Sequence, residues 1–236
     1  MMNNENSPMK KLDLKLHGLE QYHLEMYDDF LFEPLCIPDL IKLNEDALSA
    51  GIEIQPVSSF RGFEQQLFIW NGKACGEKTL LDSNSKILDF NSLTKEEIVF
   101  AILRWSALPG FSRHHWGSDF DVIDAGVLKE NPEYDVQLIP SEYEAGGIFE
   151  KLGSWLKDYL AGSPFSRPYE IDQGGVAPEP WHLSHKASAL IYEQKLHFEY
   201  FDSVVQGELF NHLDLNEIIR ERSKDIFEKY VINTCS

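Results

Sequence analysis

The stretch Ser112-Arg113-His114-His115-Trp116-Gly117-Ser118-Asp119-Phe120-Asp121 constrains the fold more than any other part of the chain. It sets two imidazoles, two carboxylates and two hydroxyls around one glycine. Imidazoles and carboxylates are common ligands of a catalytic zinc, which takes three protein ligands and keeps a fourth position open. His114 and Asp121 are seven positions apart. On one continuous strand an odd separation sends side chains to opposite faces. The two converge only if the chain turns between them, and Gly117 tolerates the backbone angles of such a turn. Beyond it, Asp119-Phe120-Asp121-Val122-Ile123 alternates polar and apolar residues, the pattern of a half-buried strand. The expectation is a loop carrying one ligand, a turn at Gly117, and a strand carrying the next. His115 competes with His114; adjacent side chains point apart, so one of the two binds metal. Asp119 shares a strand face with Asp121, and reads either as a surface acid or as a carboxylate that orients a ligand imidazole.

Two further segments carry chemistry. Ser58-Ser59-Phe60-Arg61 brings a guanidinium, and Glu179-Pro180-Trp181-His182 brings a carboxylate and a third imidazole. Together the three resemble the zinc D-alanyl-D-alanine carboxypeptidases and dipeptidases of the VanY and VanX type, which share a Hedgehog-like zinc peptidase fold. Ser112, His114, Gly117 and Asp121 fall on the fixed positions of the pattern S-x-H-x-x-G-x-A-x-D, with Asp119 in place of the usual small residue. Glu179 to His182 matches the E-x-W-H-like segment, and Ser58 to Arg61 the S-x-Y-R segment, with Phe60 for the tyrosine. The motifs stand in family order, and three in order are far more specific than one.

The resemblance implies one zinc ion per chain, held by His114, Asp121 and His182, with Glu179 as general base and Arg61 polarising the scissile carbonyl. It implies substrate contacts from Ser112 and from Gln66, five residues after Arg61. His115 is left a supporting or substrate-contacting role, and Trp116 and Trp181 are read as packing. The implied substrate is a peptide ending in D-alanine, cleaved by a carboxypeptidase-like reaction. A peptidoglycan endopeptidase of the same fold is one alternative. A non-catalytic zinc-binding interaction domain, as in Hedgehog signalling, is the other.

Composition narrows the field further. The chain has 236 residues, 43% of them hydrophobic, enough for a single domain over 1–236 with a core at about 35–200 and terminal extensions. A net charge of −18, from 21 basic and 39 acidic residues, repels phosphate backbones, so no nucleic-acid partner is expected. Three scattered cysteines, Cys36, Cys75 and Cys235, make no disulfide framework. The polar start and the lack of a long apolar run lead us to expect a cytoplasmic protein without a membrane partner. Nothing in the sequence fixes the oligomeric state, and none of the isolated cations Arg104, Arg113 and Arg167 can be singled out as a substrate contact.

The pattern of elements predicts an α+β chain; the resemblance adds a small, mainly antiparallel sheet that carries the metal and is flanked by helices. Disorder is expected over residues 1 to about 10, and a short strand at Leu12, Leu14 and Leu16. A helix is expected over 38–50 and a strand from Ile52 to Ser58. Further helices are expected over about 62–71, from a cap at Thr94 or Ser92 to about Ala107, and from Glu144 to Leu160. A loop is expected over 128–142, strands over Tyr169–Asp172 and Val176–His185, and C-terminal helices over 186–203 and 214–230.

Overall fold

The computed structural model describes residues 8–235. Two sheets organise it. A hairpin joins β1 (Glu25–Tyr27) to β2 (Phe30–Phe32), its turn made by Asp28 and Asp29, both at positive φ as tight hairpins require. The main sheet is antiparallel throughout, in the order β3 (Ile54–Ser58), β4 (Asp119–Asp124), β6 (His182–His185), β5 (Phe165–Ser166). Pro56 lies in β3, an edge strand, where its missing N–H costs no ladder bond on the open side.

Helices cover the sheet. They are α1 (Pro8–Leu16), α2 (Ile37–Ser49), α3 (Phe63–Ala74), α4 (Lys95–Trp105), α5 (Ala125–Glu130), α6 (Glu150–Tyr159), α7 (Lys186–Glu193), α8 (Phe198–Val205), α9 (Asn216–Glu221) and α10 (Ser223–Ile226). The result is the expected α+β arrangement of helices on a small antiparallel sheet. Two apolar clusters hold it together. In one, Phe120, Val122 and Leu183 of the sheet pack on Leu40 and Leu43 of α2 and on Leu152 and Leu156 of α6. The other is helical: Leu16 from α1, Trp70 from α3, Ile102 from α4, and Phe201 and Ile226 near the C-terminus surround Trp116. Among the described residues no helix is long and apolar enough to cross a membrane.

β4 departs from the half-buried pattern: all six of its residues are buried. Its apolar face meets α2 and α6, while Asp119 and Asp121 on the other face are also sealed from solvent and must find partners there.

Several boundaries differ from expectation, each for a physical reason. Leu12, Leu14 and Leu16 belong to a helix, with Leu16 buried, Leu12 packed beside it one turn away, and Leu14 outward. The expectation for residues 1–7 lies outside the described residues. α3 runs through Asn71-Gly72 to Ala74, because burial of Trp70 and Ala74 outweighs the roughly 1 kcal/mol that a mid-helix glycine costs. α6 begins at Glu150 rather than Glu144, since Gly146 turns at φ 84° and the Glu142 carboxylate binds the backbone of Gln137 and Ile139 instead. α5 occupies the first part of the expected 128–142 loop. Residues 169–172 form a turn, and the short strand lies earlier, at Phe165–Ser166. The expected strand over 176–185 shrinks to β6, because Pro178 and Pro180 have no N–H to give a ladder.

Candidate active site

Sheet register brings the three segments together. Asp121 of β4 pairs with His182 on one side and with Ser58 on the other, and directly opposed residues share a face. The chain enters β4 through a 3-10 turn, Arg113–Trp116, closed by Gly117 at φ 69°. A Cβ at Gly117 would stand 2.7 Å from Leu24 and 3.1 Å from the Glu33 nitrogen, so both conformation and space demand glycine. This turn points His114 back over Asp121.

His114, Asp121 and His182 each offer one ligand atom, all within 4.8 Å of one another and all buried. His114 Nδ1–H donates to the Ser59 carbonyl at 2.8 Å, leaving Nε2 free, 3.4 Å from Asp121 Oδ2. His182 is turned the other way. Its Nδ1 lies 3.1 Å from Asp121 Oδ1, and its Nε2 lies 3.1 Å from Asp119 Oδ1. Asp119 is therefore a buried carboxylate that fixes the His182 imidazole. It is itself held by Arg113 Nε at 2.7 Å and the Ser118 hydroxyl at 2.6 Å. Arg113 continues outward to Glu193 at 2.7 Å and Ser184 at 2.8 Å, with its guanidinium 4.7 Å over the Trp116 ring.

His115 faces away from this group. Its Nδ1–H donates to the Arg61 carbonyl at 2.5 Å and its Nε2 accepts from the Gly110 N–H at 2.9 Å. Burial pushes it down to about 3, so it is neutral. It ties the Arg61 segment to the His114 turn and does not line the cavity between them.

Two buried carboxylates face the His182 imidazole. Burial works against the His182 imidazolium, yet its bonds to Asp119 and Asp121 outweigh burial and push it up to about 10. Burial takes His114 down to about 4. Asp121 is buried with only these imidazoles within ion-pair distance among the described residues. Two imidazoles and one carboxylate facing a cavity form a three-ligand set that suits a catalytic zinc. The residues present fit a zinc ion.

The Glu179-Pro180-Trp181-His182 segment is a turn, its ends joined by the His182 N–H to the Glu179 carbonyl at 3.1 Å. That turn brings Glu179 Oε2 to 3.5 Å from His182 Nδ1. Burial raises the Glu179 carboxyl to about 7, against the pull of His182, Arg61 and Lys73. Arg61 is gripped through neutral groups, Nη1 donating to Gln66 Oε1 and Nη2 to Ser58 Oγ, both at 2.9 Å.

Arg61, His114, Asp121, Glu179 and His182 share one cavity of about 300 Å³. Ser112 lines it too, its buried hydroxyl without a hydrogen-bond partner among the described residues. Gln66 is a correction to the sequence reading. Fully buried, its amide is committed to Arg61 and, at 2.7 Å, to the Ala107 carbonyl, so it holds Arg61 rather than contacting substrate. Trp181 packs as expected, but it also lines the cavity.

Among the lining residues that the sequence reading did not single out are Tyr169 and Lys73. Tyr169 sets its ring 5.2 Å from that of His182, tilted by 58°. Lys73 sits two turns after Gln66 on the same face of α3. The seven-residue spacing was visible, but a helix stopped at Asn71-Gly72 left Lys73 in a loop.

A buried His-Asp-His group beside a carboxylate that titrates near neutrality and a fixed guanidinium defines a metal-dependent hydrolase site. The comparison with known proteins carries this further: residues 31–188 match the family VanY: D-alanyl-D-alanine carboxypeptidase, and the chain belongs to that family. An uncharacterized protein of Haemophilus influenzae is 33% identical over 123 residues, 51% of this chain and 90% of the relative. A second from that organism is 48% identical over 66 residues, 28% of this chain and 45% of the relative. Among solved structures, VanYB in complex with D-alanine-D-alanine superposes with a TM-score of 0.51 at 22% identity, over 78% of this chain and 88% of that one. An alanine mutant of the vancomycin-resistance D,D-pentapeptidase VanY, in complex with Zn(II), gives 0.50 at 23% identity, over 75% and 86%. These likenesses establish the fold.

Proposed function

We propose that this chain is a zinc-dependent peptidase that hydrolyses peptides ending in D-alanine in the manner of a D-alanyl-D-alanine carboxypeptidase. The observation that carries the proposal is the convergence of Glu179 and Arg61 on the same cavity as the His114-Asp121-His182 group. These three would hold the ion. When bound, zinc supplies Lewis acidity, lowering the pKa of water to about 7 and polarising a carbonyl oxygen.

The chain's own residues do the rest. Glu179 accepts the proton of the water that adds to the scissile carbonyl. With its carboxyl near 7, it can return that proton to the leaving nitrogen as the C–N bond breaks. Arg61, locked by Ser58 and Gln66, meets the negative charge that gathers on the carbonyl oxygen; one such fixed donor is worth roughly 3–4 kcal/mol. The Ser112 hydroxyl offers a hydrogen bond to the peptide. Asp119 and Arg113 keep His182 in the tautomer that presents Nδ1. A pure interaction domain has no use for a buried base beside its metal group, which disfavours that reading.

The scattered cysteines, buried at Cys36, exposed at Cys75 and part-exposed at Cys235, support a reducing compartment, and we propose the cytoplasm. There the substrate would be a free dipeptide or a released wall peptide, a location that cell fractionation checks. The test of function is incubation of the zinc-loaded protein with D- and L-terminated muropeptides followed by mass spectrometry. Release of D-alanine supports the proposal; release of no amino acid from any of them refutes it.

A further inference from the structure

Among the described residues, two cations of the cavity lack a carboxylate partner within ion-pair distance, in a chain whose net charge is −18. Arg61 bonds only neutral groups and is assigned to the reacting carbonyl. The other is Lys73. It projects from the last turn of α3, and its ammonium donates to the Ser106 hydroxyl at 2.6 Å; among the described residues no carboxylate lies within ion-pair distance. Arg113 also lines the cavity, but it is already paired with Asp119 and Glu193. A part-buried ammonium held by one hydroxyl is stabilised when an anion joins it.

The position of Lys73 says which anion. It lines the same cavity as Glu179, and of the charges around it the Glu179 carboxylate is the one that most favours its ammonium. Glu179 serves the leaving nitrogen. In an amino acid released from a C-terminus, amine and carboxylate are joined through a single Cα. A cation in the cavity that houses the group protonating the one is therefore placed to meet the other.

We propose that Lys73 receives the free terminal carboxylate of the peptide, and so restricts this chain to exopeptidase cleavage. The inference rests on the peptidase reading and narrows it: free dipeptides and the last residue of a longer peptide are substrates, while a chain continuing past the cleaved bond leaves Lys73 unpaired.

The test compares N-acetyl-D-alanyl-D-alanine with its C-terminal amide. kcat/KM is measured for zinc-loaded wild type, Lys73→Met and Lys73→Arg. Binding of both probes to Glu179→Gln, with and without Lys73→Met, is read from tryptophan fluorescence, since Trp105 and Trp181 line the cavity. Wild type should prefer the free acid on the order of 10–100-fold, the worth of one charge-assisted hydrogen bond. Lys73→Met should collapse that ratio to within threefold of one at equal zinc content, and Lys73→Arg should restore most of it. Equal use of both probes by wild type, or a ratio that Lys73→Met leaves intact, overturns the carboxylate receptor while the peptidase reading stands. If wild type cleaves neither probe but Glu179→Gln still binds the acid over the amide through Lys73, the receptor stands and the peptidase reading falls. Absence of both cleavage and binding overturns both.

Discussion

Replacing Asp119 by asparagine isolates the support behind the metal group. The side chain keeps its size and one acceptor oxygen but loses its charge. Two buried groups then lose a counter-charge: the Arg113 guanidinium, now 2.7 Å from the carboxylate, and the His182 imidazole at 3.1 Å. Removing one partner from a buried ion pair costs about 3–5 kcal/mol. Glu193, still bonded to Arg113 at 2.7 Å, offsets part of that, so the metal-free protein should lose about 2–4 kcal/mol of stability. Zinc affinity should fall roughly 10–100-fold, as it does when a carboxylate behind a ligand imidazole is removed. Urea unfolding of the metal-free proteins gives the first quantity, and competition with a chromogenic chelator at fixed pH gives the second. Asp119→Asn with zinc affinity within twofold of wild type would refute the reasoning that Asp119 sets the His182 tautomer.

Choice of histidine is checked by elemental analysis: His114→Ala should abolish stoichiometric zinc, whereas His115→Ala should keep it and lose stability through the bonds to Arg61 and Gly110. His115 also predicts a pH effect. Its folded pKa is pushed by burial to about 3 from an ordinary 6.5, so the unfolded chain binds the extra proton between those values and stability drops as pH falls through that window. Between pH 7 and pH 5 the stability advantage of wild type over non-titrating His115→Gln should shrink by about 2 kcal/mol, at ~1.4 kcal/mol per pH unit below 6.5; a difference that stays flat would contradict it.

What the sequence made legible follows the range of the forces involved. The cap at Thr94 is local chemistry: its hydroxyl takes the Glu97 N–H, the Glu97 carboxylate returns the bond, and α4 starts as read. The turn at Gly117 and the strand carrying Asp121 were equally local. The partnership of Asp121 with His182 was not; sheet register created it, and motif order alone hinted at it. Local signals misled where tertiary burial overrode them. Gly72 stays helical because Trp70 and Ala74 are buried around it, and that hid Lys73. Asp119 could not be assigned while β4 was read as half exposed. Only the covering of its polar face makes Asp119 a buried partner of Arg113 and His182 rather than a surface acid.

The most direct measurement compares wild type with Glu179→Ala at equal zinc occupancy, on a D-alanine-terminated peptide. Glu179 approaches His182 only at 3.5 Å and is not one of the three converging ligand residues, so the variant should retain its metal and fold. Turnover should fall by roughly 10²–10⁴-fold, the usual contribution of a positioned acid–base group. Undiminished turnover in Glu179→Ala, or wild type and variant equally inert on every such peptide, would contradict the role given to this carboxylate.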